Sequence, residues 1–368
     1  MKIFLLIAEH GYSFVNQAYS LVKGLSILGV ENKIERVHHS SVPAQKINSF
    51  QPDFIIGMGS WHSYKLIVEA PNKLGFRTIP WLVSDGKISR YIGGLNKLPL
   101  ILTPSQHCRQ IFIRDGINEK IIKVLPEAVD PDFWHELSEK DLTEFLRLIS
   151  ISKQSLLLPI NFDLLKLHQE KVPILFTTGG DATSKGAQEV ITALAEVNKK
   201  INGRPWMYII KTWPSINSFQ DSAKELKLAK KFGILENIRY IVGEFSQEFI
   251  RGLMTLCDIY IAPSRSEGFG LPLVEAQMCG KPVISIEATS TREIIEHGET
   301  GFLAKANFDE GYPRAEIKDL SRFIEMLLTD KQLRSKIGRS AKAHAVEKFN
   351  PKTIAQQMLS LINQTNEN

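Results

Sequence analysis

Two glutamates flank a glycine-containing loop and a helix start in the second half of the chain. Glu267 precedes Gly-Phe-Gly at 268–270, and Glu275 follows Glu267 after seven intervening residues. A strand is predicted over Ile259–Ala262, before the loop, and Pro272 occupies the early helical position that proline favours. Carboxylates accept hydrogen bonds from hydroxyl groups, whereas backbone N–H groups at a helix N-terminus bind phosphate. The segment therefore predicts a site for a ligand that carries both hydroxyls and phosphate.

Each of these acids has a simpler explanation when it is taken alone. Glu275, in the first turn of the predicted helix, would interact favourably with the helix dipole, and Glu267 would be a solvated loop residue. Neither explanation accounts for two acids on either side of one loop. The ligand-binding interpretation therefore applies to the pair.

A second loop carries a lysine among glycines. Gly179, Gly180, Lys185 and Gly186 follow a strand predicted over Val172–Thr177 and precede a predicted helix. A lysine ammonium binds a diphosphate as a point charge, and a glycine lets the start of the helix approach that charge closely. Open α/β sheets bind ligands at the carboxyl ends of their strands. We therefore expect this loop and the loop between the two glutamates to converge on one pocket.

The run Ser266–Ala276 and the Cys-Gly-Lys-Pro-Val-Ile sequence at 279–284 resemble the Glu-x7-Glu motif of the family-four retaining glycosyltransferases, which have the GT-B fold. Spacing, glycines, proline and the following strand all agree with that motif. The resemblance implies that Glu267 contacts the hydroxyls of the donor sugar and that Glu275 contacts the ribose hydroxyls. It also implies that the sugar and phosphates are contacted by the loop residues Gly268, Phe269, Gly270 and Leu271.

The lysine loop resembles the Gly-Arg-x4-Lys-Gly element of the same family, in which both basic residues bind the diphosphate. Gly179 and Lys185 match this element, but Gly180 stands where the arginine is usual. Part of the cationic site is therefore missing or supplied by another residue. Lys211, at the end of the next predicted strand, is a candidate substitute, and the alternative is a surface lysine at a strand end.

Weaker candidates lie in the N-terminal half, which should supply the acceptor site. Gly11, in the loop after the first strand, would let the backbone approach the donor phosphates. Many family members place a histidine after the fourth strand of this domain, where this chain has Asp85. Asp85 would accept a hydrogen bond from the sugar or the acceptor hydroxyl, and the alternative is a plain turn aspartate. His62 and His10 also follow predicted strands and are acceptor-side candidates, although turn or helix-cap roles are commoner for histidines at such places.

Short apolar runs alternate with amphipathic segments along most of the chain, a pattern typical of βαβ units and parallel sheets. In the first half, strands are predicted over Lys2–Ala8, Lys33–Val37, Asp53–Gly57, Thr78–Val83, Leu100–Thr103 and Ile121–Leu125. In the second half, further strands are predicted over Trp206–Lys211, Ile238–Val242 and Pro282–Ile286. Helices are predicted over Phe14–Leu28, Leu320–Leu328, Lys331–Phe349 and Pro351–Ile362.

This alternation predicts an α/β chain with two Rossmann-like doubly wound domains, which in the GT-B fold face each other across a cleft. Residues 1–170 would form the N-terminal, acceptor-binding domain, including a long interdomain connection from about residue 130. Residues 171–348 would form the C-terminal, donor-binding domain. Residues 349–368 would form a C-terminal helix and tail, with the helix crossing back to the N-terminal domain. An eightfold (β/α) barrel is the competing architecture, and it is disfavoured because the connection interrupts the alternation.

Composition narrows the class of protein. The chain has 368 residues, 43% of them hydrophobic and 23% charged, with no apolar run long enough to span a bilayer. Cys108, Cys257 and Cys279 show neither disulfide nor zinc-site spacing, which favours a cytoplasmic protein. The net charge of +5 fits a phosphate-bearing ligand or peripheral contact with the cytoplasmic membrane face, but equally a solvated lysine-rich exterior. No dense basic cluster indicates nucleic-acid binding.

The resemblance implies transfer of a sugar from a nucleotide-diphosphate sugar to an acceptor hydroxyl, with retention of configuration. No Asp-x-Asp cluster lies where a divalent metal would sit, so we expect metal-independent activity without a cofactor. The nucleotide base, the sugar and the acceptor (a glycan, a lipid or a small molecule) stay open. Two alternatives also stay open: a nucleotide-sugar epimerase on the same fold, and a nucleotide-sugar-binding module that has lost transfer activity.

Overall fold

The computed structural model describes residues 1–8, 12–37, 42–84, 86–151, 156–157, 163–213, 220–308 and 311–366. The chain divides into two compact units. The first comprises Met1–Asp130 together with Val346–Asn368, and the second comprises Pro131–Ala345.

The first unit contains a six-stranded parallel sheet. Its strands are β1 (Lys2–Ala8), β2 (Glu31–Val37), β3 (Phe54–Ser60), β4 (Thr78–Val83), β5 (Ile101–Thr103) and β6 (Ile122–Val124). Their order is β2-β1-β3-β4-β5-β6. Ile3, Leu5 and Ile7 of β1 pack into one core and Phe4 and Leu6 into another, so the strand is buried on both faces. Burial on both faces explains why β1 is a continuous apolar run without alternation.

The second unit contains a seven-stranded sheet and a small hairpin. Its strands are β7 (Leu156–Leu157), β8 (Ile174–Thr178), β9 (Met207–Thr212), β10 (Ile238–Val242), β11 (Ile259–Ile261), β12 (Val283–Ile286), β13 (Gly301–Ala304), β14 (Ala306–Asn307) and β15 (Arg314–Ala315). The sheet order is β13-β12-β11-β8-β9-β10-β7, in which β7 pairs antiparallel with β10, and β14 pairs with β15 in the hairpin. The chain continues from β8 through β9 and β10 on one side, and then returns to place β11 on the other side of β8.

Helices connect these strands. In the first unit they are α1 (Tyr12–Ile27), α2 (Ala44–Phe50), α3 (Ala70–Lys73), α4 (Ile92–Leu95) and α5 (Gln106–Arg114). From residue 131 they are α6 (Glu139–Ile151), α7 (Leu164–Gln169), α8 (Ala187–Lys200), α9 (Ser222–Lys231), α10 (Gln247–Leu256), α11 (Leu271–Met278), α12 (Thr291–Ile294), α13 (Ile317–Thr329) and α14 (Lys331–Lys348), followed by α15 (Pro351–Asn366). Within the described part of the chain, none of them is long and apolar enough to cross a membrane.

The predicted α/β architecture with two doubly wound domains is confirmed. Every predicted strand overlaps an observed one, and the four predicted helices correspond to α1, α13, α14 and α15. The strand predictions did not include β7, β13 or the hairpin β14–β15. The two hairpin strands have two residues each, which is too short for a periodic pattern to develop.

The C-terminal helix returns to the first unit, as expected. Helix α15 buries Ile354, Ala355 and Met358 in the core that also contains the buried face of α1. Gly24 of α1 lies at the crossing, because a Cβ at this position would collide with the carbonyl oxygen of Pro351. The two helices therefore approach each other at backbone distance.

The boundary between the units differs from the one predicted near residue 170. The second unit begins at Pro131. Glu136 pairs with Lys281 at 2.7 Å, and the Arg251 guanidinium donates a hydrogen bond to the Phe133 carbonyl at 2.9 Å. These partners lie more than a hundred residues away in sequence. A periodicity argument therefore could not assign this segment to a domain.

We expect Gly24→Ala to destabilise the protein, although alanine normally stabilises a helix interior relative to glycine. The added methyl would push α15 away from α1, at a cost of about 1–3 kcal/mol. Thermal unfolding followed by circular dichroism would measure the change. Gly93→Ala is the matched control, since a Cβ at Gly93 would meet no atom within 4 Å. Equal midpoints for the two variants would contradict the packing described for α1 and α15.

Candidate functional site

The loops after β8 and β11 leave the sheet of the second unit side by side. The two strands are parallel neighbours, with Leu175 opposite Ile259 and Phe176 opposite Tyr260. The strand order reverses between them, since β9 lies on the other side of β8 and β12 on the other side of β11. Such a reversal separates the following connections and opens a crevice at the carboxyl ends of the strands, where α/β sheets bind ligands.

The predicted convergence of the two loops is confirmed by a direct contact. The Lys185 ammonium, from the loop after β8, donates a hydrogen bond to the Glu267 carboxylate, from the loop after β11. Their side chains are 17% and 15% exposed, so the pair is largely desolvated but still reaches solvent. The Ser264 hydroxyl also donates to the Glu267 carboxylate, at 3.3 Å. A cation and a carboxylate from two different loops thus lie in contact.

Gly186 allows the two loops to touch. It caps the N-terminus of α8 with a φ of 83°, a conformation that favours glycine. A Cβ at Gly186 would lie 2.5 Å from the carbonyl oxygen of Pro263 in the other loop. The backbone N–H of Arg265 donates to the Ser184 carbonyl at 2.8 Å across the same gap. The start of α8 is therefore joined directly to the loop that carries Glu267.

The Gly-Phe-Gly loop ends at the N-terminus of α11. Gly270 has a φ of 117° and caps the helix, which begins at Leu271. The Ser290 hydroxyl donates to the carbonyls of Glu267 and Phe269, at 2.9 and 2.6 Å, and so fixes the loop from the next connection. With Gly268 between these residues, the structure places the predicted loop residues around the start of one helix, whose N–H groups attract anions.

Glu275 lies deeper in α11 than the sequence analysis expected. It is the fifth residue of the helix, beyond the first turn, so the simple dipole explanation does not apply to it. The side chain is 8% exposed, and burial raises the pKa of its carboxyl to about 8. In the absence of ligand the carboxyl is therefore mainly protonated at neutral pH and able to donate as well as accept a hydrogen bond.

Lys211 lies near the end of β9, next to the lysine loop. Burial lowers the pKa of its ammonium to about 8. The backbone N–H of Gly179 donates to the Lys211 carbonyl at 3.2 Å, so the two strand ends are joined.

Trp213, which the sequence analysis missed, packs against Gly180, and its ring centroid lies 5.4 Å from the Lys211 ammonium. The sequence did offer a signal for Trp213, since an aromatic residue directly follows a strand that ends beside a glycine-containing loop.

A buried acid behind the lysine loop was also missed. Glu225 of α9 accepts hydrogen bonds from the Thr183 hydroxyl at 2.6 Å, from the Gln220 amide at 3.1 Å and from the Tyr240 hydroxyl. Burial raises the pKa of Glu225, and the hydrogen bonds from Thr183, Tyr240 and Gln220 oppose that shift. Gln220 additionally accepts from the backbone N–H of Ala182 at 2.5 Å. These bonds hold the loop from its inner side.

Arg265 fastens the glutamate loop to α8. Its guanidinium donates to both carboxylate oxygens of the buried Glu189, at 2.8 and 3.0 Å. Arg314, from the hairpin, contacts the same carboxylate at 2.5 Å. A buried carboxylate shared by two guanidiniums is a strong, charge-assisted anchor. The loop bearing Glu267 is therefore held at Arg265, two residues before Glu267.

The first unit shows the same reversal of strand order, between β1 and β3. His62 lies in a 3₁₀ turn directly after β3, with its Nδ1 3.3 Å from the Ser60 hydroxyl and its ring stacked on Trp61 at 3.7 Å. This arrangement is that of a turn residue at a strand end. His10, Gly11 and Asp85, the remaining predictions in this half, lie outside the described residues.

Comparisons with known proteins agree with this geometry. Residues 165–344 match the family model described as "Glycosyl transferases group 1". A segment of 173 residues is 26% identical to the N-acetyl-alpha-D-glucosaminyl L-malate synthase of Bacillus anthracis, and the match covers 47% of this chain and 40% of that enzyme. The chain thus spans about two fifths of the length of this relative. Residues 165–344 contain both loops of the site.

Two solved structures resemble the whole chain. Anabaena HepE in complex with UDP and glucose aligns with a TM-score of 0.73 at 20% identity, covering 99% of this chain and 100% of HepE. A glycosyltransferase from Rickettsia africae ESF-5 aligns with a TM-score of 0.75 at 17% identity, covering 100% of this chain and 99% of that one. At these identities the likeness establishes the fold, which is the two-domain α/β fold predicted as GT-B.

We expect Glu275→Gln to stabilise the unliganded protein progressively as pH rises. The folded-state pKa of about 8 lies above the ordinary value of 4.5. Between pH 4.5 and pH 8 the carboxyl is ionised in the unfolded chain but protonated in the folded protein. The stability that Glu275 contributes is therefore present at low pH and is lost as pH rises through 8. Relative to wild type, the free energy of unfolding of the variant should increase by about 1–4 kcal/mol from pH 5 to pH 9.

Urea unfolding of both proteins across this pH range measures the difference. Glu299→Gln, at an exposed glutamate, is the control and should show no such trend. A difference between wild type and Glu275→Gln that is independent of pH would contradict burial of the carboxyl.

Proposed function

We propose that this chain is a group 1 glycosyltransferase that moves a sugar from a nucleotide-diphosphate donor to an acceptor hydroxyl. The observation that carries the proposal is the contact of Lys185 with Glu267 where the strand order reverses. One residue suits the diphosphate and the other suits sugar hydroxyls. The family match of residues 165–344 supports the same assignment, because it includes both loops.

Each element of the site would have a separate task. Lys185 and the N-termini of α8 and α11 would stabilise the diphosphate as it leaves with increasing negative charge. Glu267 would hold hydroxyls of the transferred sugar, and Glu275 would hold the ribose. In the unliganded protein Lys185 and Glu267 neutralise each other. A donor would replace that contact with phosphate at Lys185 and hydroxyls at Glu267, so that neither charge is left buried without a partner.

Retention of configuration and independence of metal are part of the proposal. The Glu-x7-Glu resemblance supports retention. For the metal, the acidic run Asp-Pro-Asp at 130–132 is relevant, since its first carboxylate accepts two hydrogen bonds from the Lys23 ammonium, at 2.7 and 2.8 Å. This ion pair favours a structural role for Asp130.

We propose that the first unit binds the acceptor, which would be a glycan, a lipid or a small molecule.

We expect Glu267→Ala to lower donor turnover by about 10²–10³-fold, because a contact to the reacting sugar is lost. Consumption of UDP-, GDP- and ADP-sugars with a mixture of acceptors measures turnover, and Glu299→Ala serves as the surface control. Equal, near-zero turnover by wild type and variant, with nucleotide still bound by both, would favour a binding module. Release of an epimerised donor without any acceptor would favour an epimerase.

Turnover should persist in excess EDTA, because the proposed stabilisation of the leaving group relies on Lys185 and two helix N-termini. Loss of activity in EDTA that added Mg²⁺ restores would overturn the metal-independent proposal.

Proton NMR of the first product formed should show the anomeric configuration of the donor, because we propose that the sugar is transferred with retention. An inverted product would overturn retention without affecting the assignment of the donor site.

A further inference from the structure

Trp213 has an unusual environment for a tryptophan. It directly follows β9 and is 40% exposed, whereas Trp61, Trp81, Trp134 and Trp206 are all buried. Its backbone N–H nevertheless donates to the Gly180 carbonyl at 3.3 Å. The backbone of Trp213 is therefore anchored to the lysine loop, although its ring is exposed.

The ring of Trp213 rests on the lysine loop. A Cβ at Gly180 would lie 2.9 Å from Cε3 of the indole, so a side chain at position 180 would displace the ring. The Thr212 hydroxyl donates to the same Gly180 carbonyl at 3.0 Å and reinforces the connection. The space at the neighbouring Gly179 is similarly restricted, because a Cβ there would lie 2.9 Å from Cγ of Lys185. Two glycines thus separate the indole from the Lys185 side chain.

The order of the strands indicates which part of a ligand the ring would meet. Along the carboxyl edge, β11 precedes the loop with Glu267, β8 precedes the loop with Lys185, and β9 precedes Trp213. A donor with its sugar at Glu267, its ribose at Glu275 and its diphosphate at Lys185 would leave its base free to turn toward β9. The Lys211 ammonium, 5.4 Å from the ring centroid, adds a cation beside the indole.

We propose that the exposed face of Trp213 stacks on the base of the bound nucleotide, and that Gly180 is required because a larger residue would unseat the ring. The inference rests on the proposed function, since it assumes a nucleotide donor at Lys185. Stacking on an aromatic face is tolerant of base identity, because every base has a planar face. The ring would therefore contribute affinity more than selection among bases.

The test uses the full-length protein and ADP, GDP and UDP as probes, with binding followed by titration calorimetry and by thermal shift. Wild type should bind at least one of them, and ligand at about a hundred times its Kd should raise the unfolding midpoint measurably. Trp213→Ala should weaken binding by about 10-fold or more, whereas Trp213→Phe keeps an aromatic face and should weaken it by about 3-fold at most. The change in tryptophan emission on binding should be lost in Trp213→Phe.

Gly180→Ala supplies an independent arm. It should weaken binding about as much as Trp213→Ala, and the double variant should be no weaker than either single variant, because both changes remove the same contact. Gly93→Ala is the matched control and should bind like wild type. Circular dichroism and unfolding midpoints without ligand verify that each variant is folded.

The outcomes separate the two proposals. A folded wild type that binds none of the three diphosphates overturns the proposed function and this inference together. A wild type that binds, with Trp213→Ala binding equally well, overturns the inference alone. If Trp213→Ala weakens only the nucleotide sugar and not the free diphosphate, the ring contacts the sugar and the stacking proposal is wrong.

Discussion

The reversal of strand order between β8 and β11 is the constraint on which the site depends. Parallel neighbours lie about 4.8 Å apart, so the connections that leave their carboxyl ends begin side by side. Lys185 and Glu267 are 82 residues apart in sequence and are in contact because of this placement. The same placement brings together the N-termini of α8 and α11. The charge, the hydroxyl acceptor and the two helix ends therefore converge although the two loops that carry them are far apart along the chain.

Close approach between the loops depends on glycines. Gly186 brings the start of α8 against Pro263, and Gly180 accommodates the ring of Trp213. In both cases a side chain would occupy space that another group already fills. Behind these contacts, Glu225 and Glu189 accept several hydrogen bonds each and anchor the loops to the body of the unit. A rigid support of this kind holds binding groups in place before the ligand arrives.

Burial also sets the charge state of the site. It raises the pKa of Glu275 to about 8 and lowers that of Lys211 to about 8, and both shifts favour the neutral forms. At a pKa of about 8 the Lys211 ammonium is still mainly charged at neutral pH, and a phosphate close to it would favour that form further, because an opposite charge favours the ionised form. Ribose hydroxyls at Glu275 would hydrogen-bond either form of the carboxyl. The raised pKa of Glu275 thus limits the cost of burying its carboxyl in the unliganded protein.

The sequence by itself determined most strands of both sheets and the helices α1, α13, α14 and α15, because apolar runs and helical spacing are local properties. It also determined the two loops of the site, since glycines, an early helical proline and acids at fixed spacing can be recognised without coordinates. The assignment of residues 131–170 to the second unit required the tertiary structure, because its contacts are with distant residues such as Lys281. The same applies to the depth of Glu275 in α11 and to the seating of Trp213 on Gly180. Burial and close approach depend on what the rest of the chain places nearby, and no spacing along the sequence expresses that.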